Sequence, residues 1–343
     1  MFLLKSYEQE RINEINEELW ATGSYIDKTE VAEKSKASVG RETKDIYDEI
    51  YRITNFDLMD IYKNLFRKLE LFSIDKIDEI KSYTLENLKA HRLNYEDQPP
   101  LLYLKGLLGD LPKTSEIKYV IIDEAQDYTP LQYEIFYQLF SHASITMLGD
   151  LNQSINPFMN VGNYNNIAHI FPQDNTCIIN LTKSYRSTLE ITKFSRRLLA
   201  KEVTDEYVER SGDEPIVLGF PEEGSIKQTI LKNIGIYKTE GYKSIGIITR
   251  TAKEAHSLYS FLKDKVDVKA ITKDDDEYIN GTLVIPAYLA KGLEFDVVLI
   301  YNAGNENYNC EEERLLFYTA CTRALHKLCI YYVGELTPLI VYI

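Results

Sequence analysis

An apolar run, Tyr119-Val120-Ile121-Ile122, leads directly into Asp123-Glu124-Ala125-Gln126-Asp127. Acids at the C-terminal end of a strand lie where ligands bind in parallel α/β sheets. One carboxylate there can hold Mg²⁺ while the next activates a water, which is what nucleotide hydrolysis asks of a protein. An acidic loop with helix-capping aspartates would read the same way if Asp-Glu stood alone, but the longer string with Gln126 and Asp127 is more specific. Further on, Leu148-Gly149-Asp150-Leu151-Asn152-Gln153 closes a second apolar run. The glycine permits a sharp turn, and the Gln153 amide can sense a terminal phosphate by hydrogen bonding. Tyr185-Arg186-Ser187 adds a ring able to stack on adenine and a guanidinium whose forked donors suit phosphate. With 26 tyrosines in the chain, core packing is the plain alternative for Tyr185. Arg323 falls late on a helical pattern, where a lone arginine commonly complements the helix dipole.

Such residues need elements to position them. From Ile117 onward short apolar runs (117–122, 144–148, 176–181, 215–220, 243–249, 282–286, 296–301 and 327–333) read as strands. Helical patterns lie between them at 129–140, 187–200, 252–264 and 311–324. Thr129 before Pro130 is a helix start, and Ser187 with Glu190 has capping-box spacing. This alternation predicts an α/β fold with a parallel sheet and helices on both faces. Residues 1–110 read as helical instead. Ser6 and Gln9 suggest a capping box, then Ile12, Ile15 and Leu19 recur at helical spacing until Thr22-Gly23. The Lys/Ser/Glu-rich stretch 28–44 reads as an exposed connection, and helical period resumes through Ile46, Ile50, Ile53, Leu58, Ile61, Leu65 and Leu69.

Taken in order, these strings resemble the UvrD/Rep-type superfamily 1 helicases. IIDEAQD resembles their motif II, GDLNQ their motif III and Tyr185-Arg186-Ser187 their motif IV. Lys291-Gly292-Leu293-Glu294-Phe295-Asp296 resembles motif V, and Tyr318-Thr319-Ala320-Cys321-Thr322-Arg323-Ala324 resembles motif VI. The resemblance implies a RecA-like P-loop NTPase fold using ATP and Mg²⁺. It assigns Asp123 to Mg²⁺, Glu124 to the catalytic base and Gln153 to the γ-phosphate sensor. Gln126 and Asp127 would couple the site to motion, and Tyr185 would stack on adenine. Arg186 would meet phosphate, Glu294 the ribose at the turn that includes Gly292, and Arg323 would be the arginine finger. Residues 1–110 are then expected to be the tail of a larger N-terminal part. Residues 111–175 would be a partial first RecA-like domain and 176–343 the second. The nucleotide would lie between these two, with DNA, single-stranded or at a duplex junction, across the top.

The flanking text is closest to the HelD-type branch, whose members bind bacterial RNA polymerase. It includes PPLLYL (99–104), YTPLQYEIFYQLF after motif II, GDLNQSI and VIPAYLAKGLEFDVVLI. The interval from the motif IV helix to motif V is too short for the large insertion that UvrD and Rep carry there. No GxxxxGK[ST] string occurs; the nearest text, ASVGRETK (37–44), has the wrong spacing and no strand ahead of it. That loop would cradle the β- and γ-phosphates. The expectation is therefore a motor portion that hydrolyses ATP negligibly alone and needs a missing N-terminal helicase region. An excised piece, a truncated or split gene product and a degenerate relative all fit. The alternative is an ATP-independent module that binds RNA polymerase or nucleic acid.

Composition bounds these readings. Hydrophobic residues at 44% and charged residues at 27% are those of a globular chain rather than a disordered one. The net charge of −14 argues against tight free-standing DNA binding and leaves room for a protein partner. Cys177, Cys310, Cys321 and Cys329 form no CxxC pair and read as reduced, mostly buried cytoplasmic thiols. No apolar run is long enough to span a membrane, and MFLLKSYEQE is not the pattern of a secretory signal.

Overall fold

β-branched residues with little polar interruption, as in IGIIT, TLVIP and FDVVLI, favour strands that are covered on both faces. In the computed structural model, which describes residues 2–21, 28–54, 57–68, 73–112, 116–199, 210–271 and 281–340, they form the centre of a parallel sheet. The chain divides into two units, Met1–Leu111 and Pro112–Ile343.

The second unit begins with β1 (Tyr119–Ile122), α6 (Pro130–Leu139) and β2 (Ser144–Met147). β1 and β2 pair in parallel, with Tyr119 opposite Ser144. One face of this pair is packed: Ile122 joins Ala125, Tyr133, Val161, Ile167 and Ile170, with Val120, Ile145 and Met147 against them. Then follow α7 (Leu189–Arg197), β3 (Ile216–Phe220), α8 (Glu223–Thr239), β4 (Ile245–Thr249), α9 (Ala252–Leu262), β5 (Lys269–Ala270), β6 (Thr282–Pro286), β7 (Phe295–Ile300), α10 (Arg314–Cys321) and β8 (Ala324–Val333). Their strands make a six-stranded sheet, ordered β3-β8-β7-β4-β6-β5, and every pairing in it is parallel. Val297 and Leu299 of β7 face α8 and α9 through Ile226, Ile230, Ile234, Leu258 and Leu262. Val298 and Ile300 face the other way, onto Ile191 of α7 and Phe317 and Cys321 of α10. The fold class expected from the sequence, α/β with parallel sheets flanked by helices, is the one observed.

In the first unit lie α1 (Phe2–Ala21), α2 (Lys28–Thr54), α3 (Leu58–Leu65), α4 (Ile77–Lys89) and α5 (Gln98–Leu107). Four sequence expectations fail in detail, two of them here. Residues 28–44 are not an exposed connection but part of α2, because Val31, Ser35, Val39 and Thr43 fall on one helical face and are buried. The hydroxyls on that face are satisfied locally: Ser35 and Thr43 each donate to the carbonyl four residues back at 2.9 Å. Thr43 and Tyr47 also reach Glu8 of α1, at 2.9 and 2.8 Å. Ser6 lies inside α1 rather than at its cap. Leu69, Thr22 and Gly23 lie outside the described residues.

The third failure is the expected strand 176–181. It forms no strand, and Ile179 and Leu181 are 77% and 88% exposed. Strand propensity expresses packing on a pleated surface, and no neighbouring strand receives this run among the described residues. The fourth is the capping box at α7. Thr188 is the N-cap, without a side-chain bond. Ser187 donates instead to the Ala324 carbonyl at 2.6 Å, and Glu190 accepts from the Gly212 N–H at 2.7 Å. At α6, by contrast, Thr129 forms a reciprocal capping box with Gln132, and Pro130 occupies the first turn.

Candidate active site

Beyond the ends of β1 and β2 the ladder continues: the Leu148 N–H donates to Ile122 O and the Ala125 N–H to Leu148 O, both at 2.8 Å. This continuation holds the acidic string beside Gly149–Gln153. Between Asp123 and Ala125 the chain turns through Glu124 in the left-handed region, at φ 49° and ψ 40°. A non-glycine residue there costs on the order of 1 kcal/mol or more, and such strain clusters at functional sites. Asp123 stays exposed, one carboxylate oxygen accepting the Glu124 N–H at 2.8 Å.

Gln126 is fully buried and joins the two strings. Its amide donates to Glu124 Oε2 at 2.8 Å, and its carbonyl oxygen accepts the Asp150 N–H at 3.0 Å. Gly149 admits no side chain, because a Cβ there would strike the Tyr164 hydroxyl and come within 2.6 Å of Gln126 Oε1. Asp150 in turn accepts from the Gln153 amide at 2.8 Å and the Asn152 N–H at 2.9 Å. Burial, with Asp150 and Asp127 nearby, pushes the Tyr164 phenol upward, so it remains a neutral hydroxyl.

Two cations reach this set from the six-stranded sheet. Arg323, 1% exposed, lies at the turn from α10 to β8, and α10 packs on the Leu151–Gln153 turn. Its guanidinium donates to Gln153 Oε1, to Thr319 O at 3.1 Å and to Leu293 O at 3.4 Å. Burial, reinforced by the charge of Arg186, lowers the Arg323 pKa to about 10, while Glu124 and Glu294 oppose the shift. It is therefore still a cation at neutral pH, but an incompletely compensated one. The second cation is Lys291, which closes onto Asp127 and onto Glu124 Oε2 at 3.2 Å. Arg186 stands at the same mouth and pairs with Glu294 at 2.6 Å.

Of the residues singled out in the sequence, Glu124, Gln126, Gln153 and Arg323 are thus linked by a chain of contacts through Asp150, and the Arg186–Glu294 pair stands near enough to act on the Arg323 charge. Tyr185, 69% exposed, and Gly292, exposed at φ 78°, line no packed surface. Lys291 and Asp150 were quoted within their motifs without a role. The lysine's partners stand far off in sequence, and only its place in the motif V string hinted at a role, whereas the Asp150 carboxylate is held by Asn152 and Gln153 close by. Among the described residues no three His, Cys, Asp or Glu side chains converge to cage a metal. Mg²⁺ is commonly held by one or two carboxylates plus substrate phosphates, and the Asp123–Glu124 pair fits that mode. The buried Asp127 Oδ1, which has no hydrogen-bond partner, adds negative potential at the same place.

A carboxylate pair, an amide and a buried arginine meeting across a cleft agree with what family comparison finds. The UvrD/REP helicase N-terminal domain matches residues 5–172, and the UvrD-like helicase C-terminal domain matches residues 273–335. The chain carries UvrD/Rep-type superfamily 1 helicase domains. Among UvrD/Rep-type relatives, it is 27% identical over 319 residues to the candidate ATP-dependent DNA helicase R568 of Acanthamoeba polyphaga mimivirus, covering 84% of this chain and 44% of that protein. It is 32% identical over 127 residues to the ATP-dependent DNA helicase Rep of Buchnera aphidicola subsp. Baizongia pistaciae, covering 34% of this chain and 19% of the relative. The chain therefore spans less than half the length of either curated relative. A solved C-terminal domain of a possible DNA helicase from Lactobacillus plantarum WCFS1 is 35% identical, with 46% of this chain and 92% of that domain covered and a TM-score of 0.40.

Proposed function

We propose that this chain is the C-terminal motor portion of an ATP-dependent superfamily 1 DNA helicase or translocase. The observation that carries this reading is the cross-cleft pairing of Arg323 with Gln153, which ties motif VI to motif III in one site. In this reading Asp123 holds Mg²⁺ together with the nucleotide phosphates, and the ion when bound neutralises charge on them. Glu124 orients the attacking water and accepts its proton. Gln153 reads the terminal phosphate, and release of its oxygen from Arg323 frees that guanidinium for the charge that develops during transfer. Arg186 contributes a second phosphate contact, Tyr185 stacks on the adenine, and Glu294 at the Gly292 turn takes the ribose. Gln126 transmits a shift of Glu124 to Asp150 and so to Gln153.

No phosphate-cradling GxxxxGK[ST] loop is among these residues. We infer that a further helicase region supplies it and that this chain alone turns ATP over negligibly. Mixing the chain with a segment carrying such a loop should restore ATP hydrolysis, and Glu124→Gln should abolish it again. A mixture that associates but stays silent would count against the reading. Within the family we favour the HelD-type branch, supported by the text around motifs II and V. That makes bacterial RNA polymerase a candidate partner beside DNA. Co-sedimentation with purified polymerase should retain the chain; passage through unretained would remove polymerase and leave DNA.

A further inference from the structure

Lys291 is the most enclosed charge on the motif V side of the cleft after Arg323, its side chain 11% exposed. Its ammonium sits on both Glu124 and Asp127, while Glu294, three residues on, is taken by Arg186. Glu124 is the chain neighbour of Asp123, which accepts the Glu124 N–H at 2.8 Å. A lysine head is a compact charge on a flexible four-carbon stem, so it can leave without moving the backbone that carries it.

We propose that Lys291 is a displaceable cationic latch. With no divalent ion in the cleft, it neutralises Glu124 and Asp127 and ties the 287–296 turn to the 123–127 loop. A divalent cation arriving at Asp123 repels the ammonium and takes over its neutralising role. Loading the cation and releasing that tie are then one event. This rests on the reading of Asp123 as a cation ligand.

The test uses Mn²⁺ alone, without nucleotide, followed by electron paramagnetic resonance of the free ion on the full chain. Lys291→Gln should bind Mn²⁺ at least about tenfold more tightly than the unsubstituted chain. The gain should vanish when Asp123→Asn is added. Equal, Asp123-dependent binding with and without Lys291 would overturn the latch alone. Binding that ignores Asp123 in both proteins would overturn the ligand reading and the latch with it. Should Lys291→Gln fail to fold, hydrogen exchange of the unsubstituted chain gives a second answer. Mn²⁺ should speed exchange in the 287–296 turn, and unchanged exchange at saturating Mn²⁺ would overturn the proposal.

Discussion

Gln126 shows how one uncharged side chain can organise several charged ones. It is fully buried, it holds Glu124 by one end of its amide and the Asp150 N–H by the other, and Gly149 must lack a side chain to let it do so. Replacing it with leucine of similar volume would strand the Asp150 N–H and leave Glu124 less well held. The expected cost is about 2 kcal/mol, measurable as a lowered midpoint in urea at neutral pH. A midpoint within error of the unsubstituted chain would mean that water substitutes freely at this joint. The acidic string itself stood out in the sequence, because Gln126 and Asp127 make it more specific than an acidic capping loop. Its dependence on Lys291 was not, since that lysine lies 164 positions from Asp127 and local pattern carries no trace of such a pairing. The strained backbone of Glu124 was equally hidden, because nothing in the residue type announces it.

Among the elements, central strands were read correctly where apolar residues ran without interruption, and errors came where a polar-looking segment found a partner. The α2 helix illustrates this. Its lysines and glutamates suggest solvent, yet Val31, Ser35, Val39 and Thr43 share a buried face that only the fourfold spacing betrays. Val39→Asp would place an unpaired charge on that face and should cost about 3 kcal/mol or more. Circular dichroism should show lost helix content, and unchanged helicity would mean that the α1–α2 contact contributes little. The reverse error, the run 176–181, has a strand-like composition but no ladder to join among the described residues. At the other end of motif V, Asp296 fastens β7 to β4 by accepting the Lys243 and Ser244 N–H groups at 2.8 and 3.0 Å. Burial raises its pKa, but these bonds outweigh burial and leave it net lowered. A carboxylate whose folded pKa lies below its unfolded value contributes stability present above about pH 4 and lost as pH falls further through the folded value. Asp296→Asn should therefore narrow the stability gap between neutral pH and pH 3, followed by chemical denaturation. An unchanged acid limb would assign that pH dependence to other carboxylates.

For the whole molecule, the acidic total of −14 and the cationic cleft coexist because the cations are spent internally. Lys291 is paired with acids, Arg186 with Glu294, and Arg323 with Gln153 and backbone carbonyls. Few cations in the cleft are then left to meet phosphate until these contacts are exchanged. Under the proposed function, phosphate binding would have to exchange these contacts. The most direct test is a titration of the purified chain with ATP and Mg²⁺, with and without single-stranded DNA, beside Glu124→Gln. Weak binding and no turnover in either protein, with or without DNA, is the predicted result. Turnover that disappears in Glu124→Gln would contradict the account, because the chain would then hold a complete phosphate-binding element of its own.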